Sequence, residues 1–239
     1  MTSRFHGINI EAHDPSRVGR FWAGVLGWEL VEHLSGEVVA LPHDGTAYRI
    51  AFRAADTPKL DQNRIHLDLT SASDEEMSAT VARALDLGGR HIDIGQTPDD
   101  GHVVLADPEG NELCVIEPGN SFLADTGVIG AVNCDGSQAV GYFWSEVLGW
   151  PLVWDQDEET AIQSPAGGSK ITWSGPPLMP RLGRDRMHLE LEVPPADDLG
   201  AEVDRLVSLG ATVQTRPTGA EGAAVLTDPD GNEFRILTL

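Results

Sequence analysis

Two histidines stand in matching words of this chain, His66 in "RIHLDL" (Arg64 to Leu69) and His188 in "RMHLEL" (Arg186 to Leu191). In each word the apolar residues alternate with the histidine and, two positions on, an acid, Asp68 or Glu190. That is the period-2 pattern of a strand with one face in a core, so imidazole and carboxylate share the other face. An imidazole there could act as acid, base or hydrogen-bond donor near pH 7. A second pair of phrases, "DPEGNELCVI" (Asp107 to Ile116) and "DPDGNEFRIL" (Asp228 to Leu237), diverges at its eighth letter into Cys114 and Arg235. A thiol is a soft metal ligand or nucleophile, whereas a guanidinium is a fork for carboxylate or phosphate. The shared letters Asp107, Pro108, Gly110 and Asn111, with Asp228, Pro229, Gly231 and Asn232, suit a tight turn needing positive φ at Gly, not catalysis.

The elements that must position these residues are also written twice. "FWAGVLGW" (Phe21 to Trp28) meets "FWSEVLGW" (Phe143 to Trp150) at a shift of 122 residues, and the two turn phrases meet at 121. Two tandem domains follow, 1–119 and 126–239, joined near "EPGNSFLADTG". In the first, Phe5 to Ala12 reads as a strand. Asp14-Pro15 then opens a helix that buries Val18, Phe21, Trp22 and Val25 and ends at Gly27. Strands are predicted at Glu29–His33, Val38–Leu41 and Tyr48–Arg53, then at Ile65–Leu69. A capping box at Ser73–Glu76 starts a second helix with Met77, Val81 and Leu85 on its stripe and Gly88 at its end, and strands at Gly101–Leu105 and Glu112–Glu117 close the copy. The order is βαβββ twice per repeat. Asp99-Asp100 and Asp155–Glu159 read as solvated loops.

Four such modules, the "RIHLDL" word and the terminal "DPEGNE" hairpin together resemble the vicinal oxygen chelate superfamily, the glyoxalase and bleomycin-resistance fold. The resemblance implies an α+β protein of two tandem glyoxalase-like domains. Each would be a pair of βαβββ modules forming a curved, mostly antiparallel sheet with helices on its outer face and a ligand cleft on its concave face. Metal-using members hold a divalent ion at four strand positions. Carried over, these are Gly7, Arg53, His66 and Cys114 in repeat 1, and Ile129, Ser174, His188 and Arg235 in repeat 2. Two arginines add positive charge where an ion would sit, so repeat 2 reads as closed to metal. A metal in repeat 1 (Zn, Mn, Ni or Fe) would draw on His66, Cys114, Glu112 and His6, although strand parity turns His6 away.

The expectation is accordingly a cleft that binds a small organic molecule with no resident cofactor, by sequestration. The alternatives are a metal-independent isomerase, cyclase or lyase using His66 and His188, and a divalent-metal lyase or dioxygenase. Arg53, Asp68, Cys114, Trp154, Ser174, Glu190 and Arg235 are the ligand-binding candidates; Trp154 stands where repeat 1 has Glu32 and is not demanded by the fold. A net charge of −22 on 239 residues excludes nucleic acid and anionic membrane as partners. Two cysteines, no signal-like leader and no long apolar run point to a cytoplasmic protein, a pseudo-twofold monomer or a homodimer.

Overall fold

The computed structural model describes residues 3–33, 36–56, 58–97, 100–194, 197–216 and 222–238; Asp99 lies outside them. Module 1 comprises β1 (Arg4–Ala12), α1 (Pro15–Leu26), β2 (Glu29–Glu32), β3 (Val38–Leu41) and β4 (Arg49–Ala54). Module 2 comprises β5 (Ile65–Leu69), α2 (Asp74–Asp86), β6 (Arg90–His91), β7 (Val103–Ala106) and β8 (Glu112–Val115). Module 3 runs through β9 (Ile129–Cys134), α3 (Gln138–Leu148), β10 (Leu152–Gln156), β11 (Glu159–Gln163) and β12 (Lys170–Trp173). Module 4 has β13 (Met187–Val193), α4 (Leu199–Leu209), β14 (Thr212–Thr215), β15 (Ala223–Thr227) and β16 (Glu233–Thr238). Among the described residues no helix is long and apolar enough to cross a membrane.

The α+β class and the mostly antiparallel sheets hold, but sheet membership crosses the repeats. One eight-stranded sheet has the order β14-β15-β16-β13-β1-β4-β3-β2 and joins modules 1 and 4; we call it the terminal sheet. The other, β10-β11-β12-β9-β5-β8-β7-β6, joins modules 2 and 3 and is the central sheet. The expectation that two modules of one repeat share a sheet is thereby corrected. Each sheet closes through an antiparallel ladder between first strands, β1 with β13 and β5 with β9.

Within a repeat, the modules are joined instead by the duplicated turn phrase. Trp22 Nε1 on α1 donates to Asp107 at 3.1 Å, and the Glu109 carboxylate accepts from the backbone N–H groups of His13 and Asp14 at the start of α1. In repeat 2, Trp144 Nε1 donates to Asp228 at 3.2 Å, and Asp230 accepts from Ser137 N, the cap of α3. Both carboxylates sit where the unpaired N–H groups of a helix start favour negative charge. The repeated words are thus the mortar of each repeat, and they hold the two sheets together.

The helices follow their sequence signals with one exception. Asp14 caps α1 by accepting from Arg17 N, Pro15 takes the first helical position, and Gly27 ends the helix at φ 71°, a left-handed conformation that Gly adopts without steric penalty. Val18, Phe21, Trp22 and Val25 are buried against β3 and β4. In α2, Met77 and Val81 pack on the core, but Leu85 is 38% exposed and the buried residues are Thr80 and Ala84. The α2 face is rotated from the stripe that apolar spacing suggested, toward Thr80 and Ala84. The two-residue strand β6 was not foreseen.

Candidate functional site

On every first strand the apolar parity (Ile8, Ile10 and Ala12 on β1; Ile65, Leu67 and Leu69 on β5) enters the core beneath the helices. The polar parity lines the opposite, concave face. The ladders align these residues in rows. In the central sheet one row runs Trp154, Ala161, Thr172, Asn133, His66 across β10, β11, β12, β9 and β5. The next row runs Lys170, Ala131, Asp68, Cys114. In the terminal sheet the corresponding rows are Ala51, Asn9, His188 and Arg49, Gly7, Glu190, Arg235.

Comparing the rows shows what the divergent letter does. In the terminal sheet, Arg53 pairs with Glu190, and Arg235 and Arg49 approach the same carboxylate at 3.6 and 3.8 Å. Glu37 holds Arg49 and Arg53 at 3.4 and 3.3 Å. Glu190 is wholly buried. The guanidiniums that could have gripped a ligand are spent on an internal ion network. His188, 1% exposed, is held between Asn9 Nδ2 at 3.4 Å and Glu233 at 3.2 Å, and Arg184 also reaches Glu233.

In the central sheet the positions of Arg235 and Arg53 are taken by the much smaller Cys114 and Ser174. A cavity of about 230 Å³ opens on this face, lined by Phe122, Asn133, Trp154, Thr172 and Ser174 among others. Thr172 lines it, and its hydroxyl is buried with no hydrogen-bond partner among the described residues. Asn133 joins this cavity to the histidine cluster, its Nδ2 lying 3.5 Å from Asp68. His66 Nε2 lies 3.3 Å from Asp68 Oδ1, and one donor atom each from His66, Asp68 and Cys114 falls within 4.8 Å of the others. Burial opposes a charge on His66, but its contacts with Asp68 and Cys114 outweigh that and push its pKa up to about 10. Burial pushes the Cys114 thiol up as well. The surroundings thus favour the charged form of the His66 imidazole and the neutral form of the Cys114 thiol.

The donor set bears on metal. One imidazole, one carboxylate and one thiol are a chemically reasonable set for a borderline-soft ion such as zinc, which His66, Asp68 and Cys114 would hold and which would polarise a ligand oxygen. Loading such an ion requires two protons to leave, from His66 and Cys114. The facing module offers hydrocarbon at Ile129, a hydroxyl at Ser174 and, opposite His66, the Asn133 amide, so the ionisable donors among the described residues come from module 2. The terminal sheet, with three guanidiniums in its cleft, does not fit a cation.

Two residues named for a metal lie elsewhere. His6 belongs to the terminal sheet, where a bulge between Phe5 and Gly7 brings it to Glu192 at 3.0 Å, against the simple parity expectation. Burial, then Arg49, lower its pKa. Glu112 is taken by Lys59 at 2.6 Å and by Asn63 N at 3.1 Å. Asn133 and Asn9 were missed. The ladders place each opposite a histidine, yet the helix words align Asn133 with Glu11, because repeat 2 has two fewer residues between this asparagine and its Phe-Trp pair. Arg64 and Arg186, which precede the histidine words, are buried staples to Asp135 and Glu109, each at 2.7 Å. Their repetition was a readable signal.

Paired βαβββ modules with a polar concave face define the class of the molecule. The glyoxalase-like domain family matches residues 7–116 and again 130–237, and the chain belongs to that family. Glyoxalase I from Zea mays is 12% identical, with 99% of this chain and 92% of that chain covered and a TM-score of 0.64. A proposed dioxygenase from Bacillus subtilis is 17% identical, with 99% and 85% covered and a TM-score of 0.61. At these identities the likeness is one of fold. No curated protein sequence matches this chain.

Proposed function

We propose that this protein binds a small organic molecule in the cleft of the central sheet and sequesters it without a resident metal. The observation that carries the reading is the exchange of Arg53 and Arg235 for Ser174 and Cys114. Side chains that fill one cleft are replaced by small ones in the other, and a cavity with an orphaned hydroxyl lies there. Ligand sites are typically concave and mostly apolar, with a few placed polar groups, and this face matches that description on a small scale. Asn133 and Thr172 line it with an amide and a hydroxyl, groups that can donate to a ligand with accepting oxygens, and His66 stands next to Asn133 in the same row. The terminal sheet serves on this reading as scaffold. Since both sheets close within one chain, a monomer suffices and a homodimer is not needed to complete either cleft.

A specific observation favours one further reading. The charged imidazole of His66 beside the cavity could hand a proton to a carbonyl ligand, whereas His188 is enclosed by Asn9 and Glu233. Both readings are tested by equilibrium binding of a small-metabolite library, followed by product analysis of every hit. Binding lost in His66→Gln and retained after exhaustive chelation supports the site. Binding unaffected by His66→Gln contradicts this site, and binding abolished by chelation contradicts the metal-free reading. Products formed by the wild type alone would make His66 a catalytic residue.

A further inference from the structure

We infer that the segment joining the two repeats is part of the binding site, and that its Phe122 forms with Trp154 an aromatic corner selecting a flat, conjugated ring whose oxygen is held by Thr172. The inference rests on the central-sheet reading and names its ligand class. The segment is packed, not a loose tether: Leu123 is buried and its N–H meets Asn120 Oδ1 at 3.2 Å, while Thr126 Oγ1 donates to the Leu123 carbonyl at 2.7 Å. Phe122 is fixed from below by Lys170 on β12, whose ammonium lies 4.3 Å from the ring centroid and donates to the Phe122 carbonyl.

So placed, Phe122 meets Trp154 edge to face, with centroids 5.7 Å apart and planes at 79°. Two rings at nearly right angles present one flat surface and one edge, the arrangement in which a third aromatic ring can stack on one and touch the other edge-on. Trp154 occupies the same row as Thr172 and His66, so a ring in the corner points along that row. Thr172 Oγ1 has no hydrogen-bond partner among the described residues. A buried hydroxyl left unpaired is destabilising, and a ligand oxygen would satisfy it. The cavity, about 230 Å³, is smaller than the roughly 300–1,000 Å³ of typical drug-sized sites, which limits the occupant to about one or two rings. Glu159 is the charged residue in its lining among the described residues, and the nearby Lys170 ammonium is taken up by the Phe122 ring and carbonyl.

The test uses the full chain with 2-naphthol and its saturated counterpart, trans-2-decalol, titrated by calorimetry while the His66 ring signals report occupancy by NMR. The expected result is 2-naphthol bound about tenfold more tightly than decalol, that preference being lost in Phe122→Ala and in Trp154→Leu. Thr172→Val, which keeps shape and removes the hydroxyl, should weaken 2-naphthol about tenfold. Binding that moves His66 yet is equal for the two probes and indifferent to Phe122→Ala overturns the inference while leaving the cleft reading intact. Silence of His66 toward both probes also overturns it, and the cleft reading then stands or falls on the library experiment.

Discussion

Asn133 stands directly opposite His66 in the β5–β9 ladder, although the two come from different repeats. Their juxtaposition ties the cavity to the histidine cluster, because Asn133 lines the one and reaches Asp68 in the other. The matching pair in the terminal sheet, Asn9 and His188, is closed off by Glu233. The same ladder therefore carries two different outcomes, set by what surrounds it.

The first expectation concerns pH. The His66 pKa is raised from 6.5 to about 10, so the folded state holds its proton more tightly than the unfolded chain. Its stabilising contribution is complete below pH 6.5 and is lost as pH rises through about 10. Melting temperature should decline between these limits more steeply in the wild type than in His66→Gln. Parallel curves would show that His66 carries no such shift.

Removing the carboxylate at the centre of the terminal cleft should be severe. Glu190→Ala leaves Arg49, Arg53 and Arg235 without their shared partner, and breaking a buried ion pair from one side costs about 3–5 kcal/mol. Urea unfolding measures it. A loss within about 0.5 kcal/mol, typical of surface positions, would mean that this network is not structural.

Asp107 accepts from Trp22 Nε1, from the Asn111 side chain and from two backbone N–H groups while wholly buried. Burial raises its pKa although every one of those bonds lowers it. Asp107→Asn would turn an amide NH₂ toward donors and should cost about 2–3 kcal/mol, since hydrogen bonds to charged groups are worth roughly 1.5–3 each. Asp228→Asn should match it in repeat 2, where Trp144 and Asn232 make the same contacts. An unchanged denaturation midpoint in both variants would contradict their role as mortar.

Both cysteines are buried and both thiols are pushed up by that burial, Cys134 well above the usual range. Iodoacetamide at pH 8 should therefore leave the native protein unmodified and label both sites after unfolding. Rapid native alkylation at Cys114, read by peptide mass mapping, would instead identify a reactive thiolate beside His66.

Much of this was legible in the residues. The duplicated words gave the repeats, period-2 alternation gave β5 and β13, and Asp14-Pro15 with Gly27 bounded α1. Sheet membership was not legible, because ladder partners far apart in sequence are chosen by three-dimensional closure rather than by local pattern. The bulge at His6 and the shorter β9–α3 connection shifted register, so the positions carried over as Gly7 and Ile129 hid the asparagines that face the histidines. Phe122 was concealed by its setting among Gly, Pro and Ser, which reads as linker. The fates of Arg53 and Arg235 turned on Glu190, an acid whose burial no single strand word discloses.

The central claim is that ligand enters the central cleft and not the terminal one, and the histidines report on each separately. We would record the ring-nitrogen NMR signals of His66 and His188, assigned with single Gln variants, while titrating a hit from the metabolite library. Saturable movement of His66 with His188 stationary is the result expected. Movement of His188 with His66 unmoved would place the ligand in the terminal sheet and contradict the account.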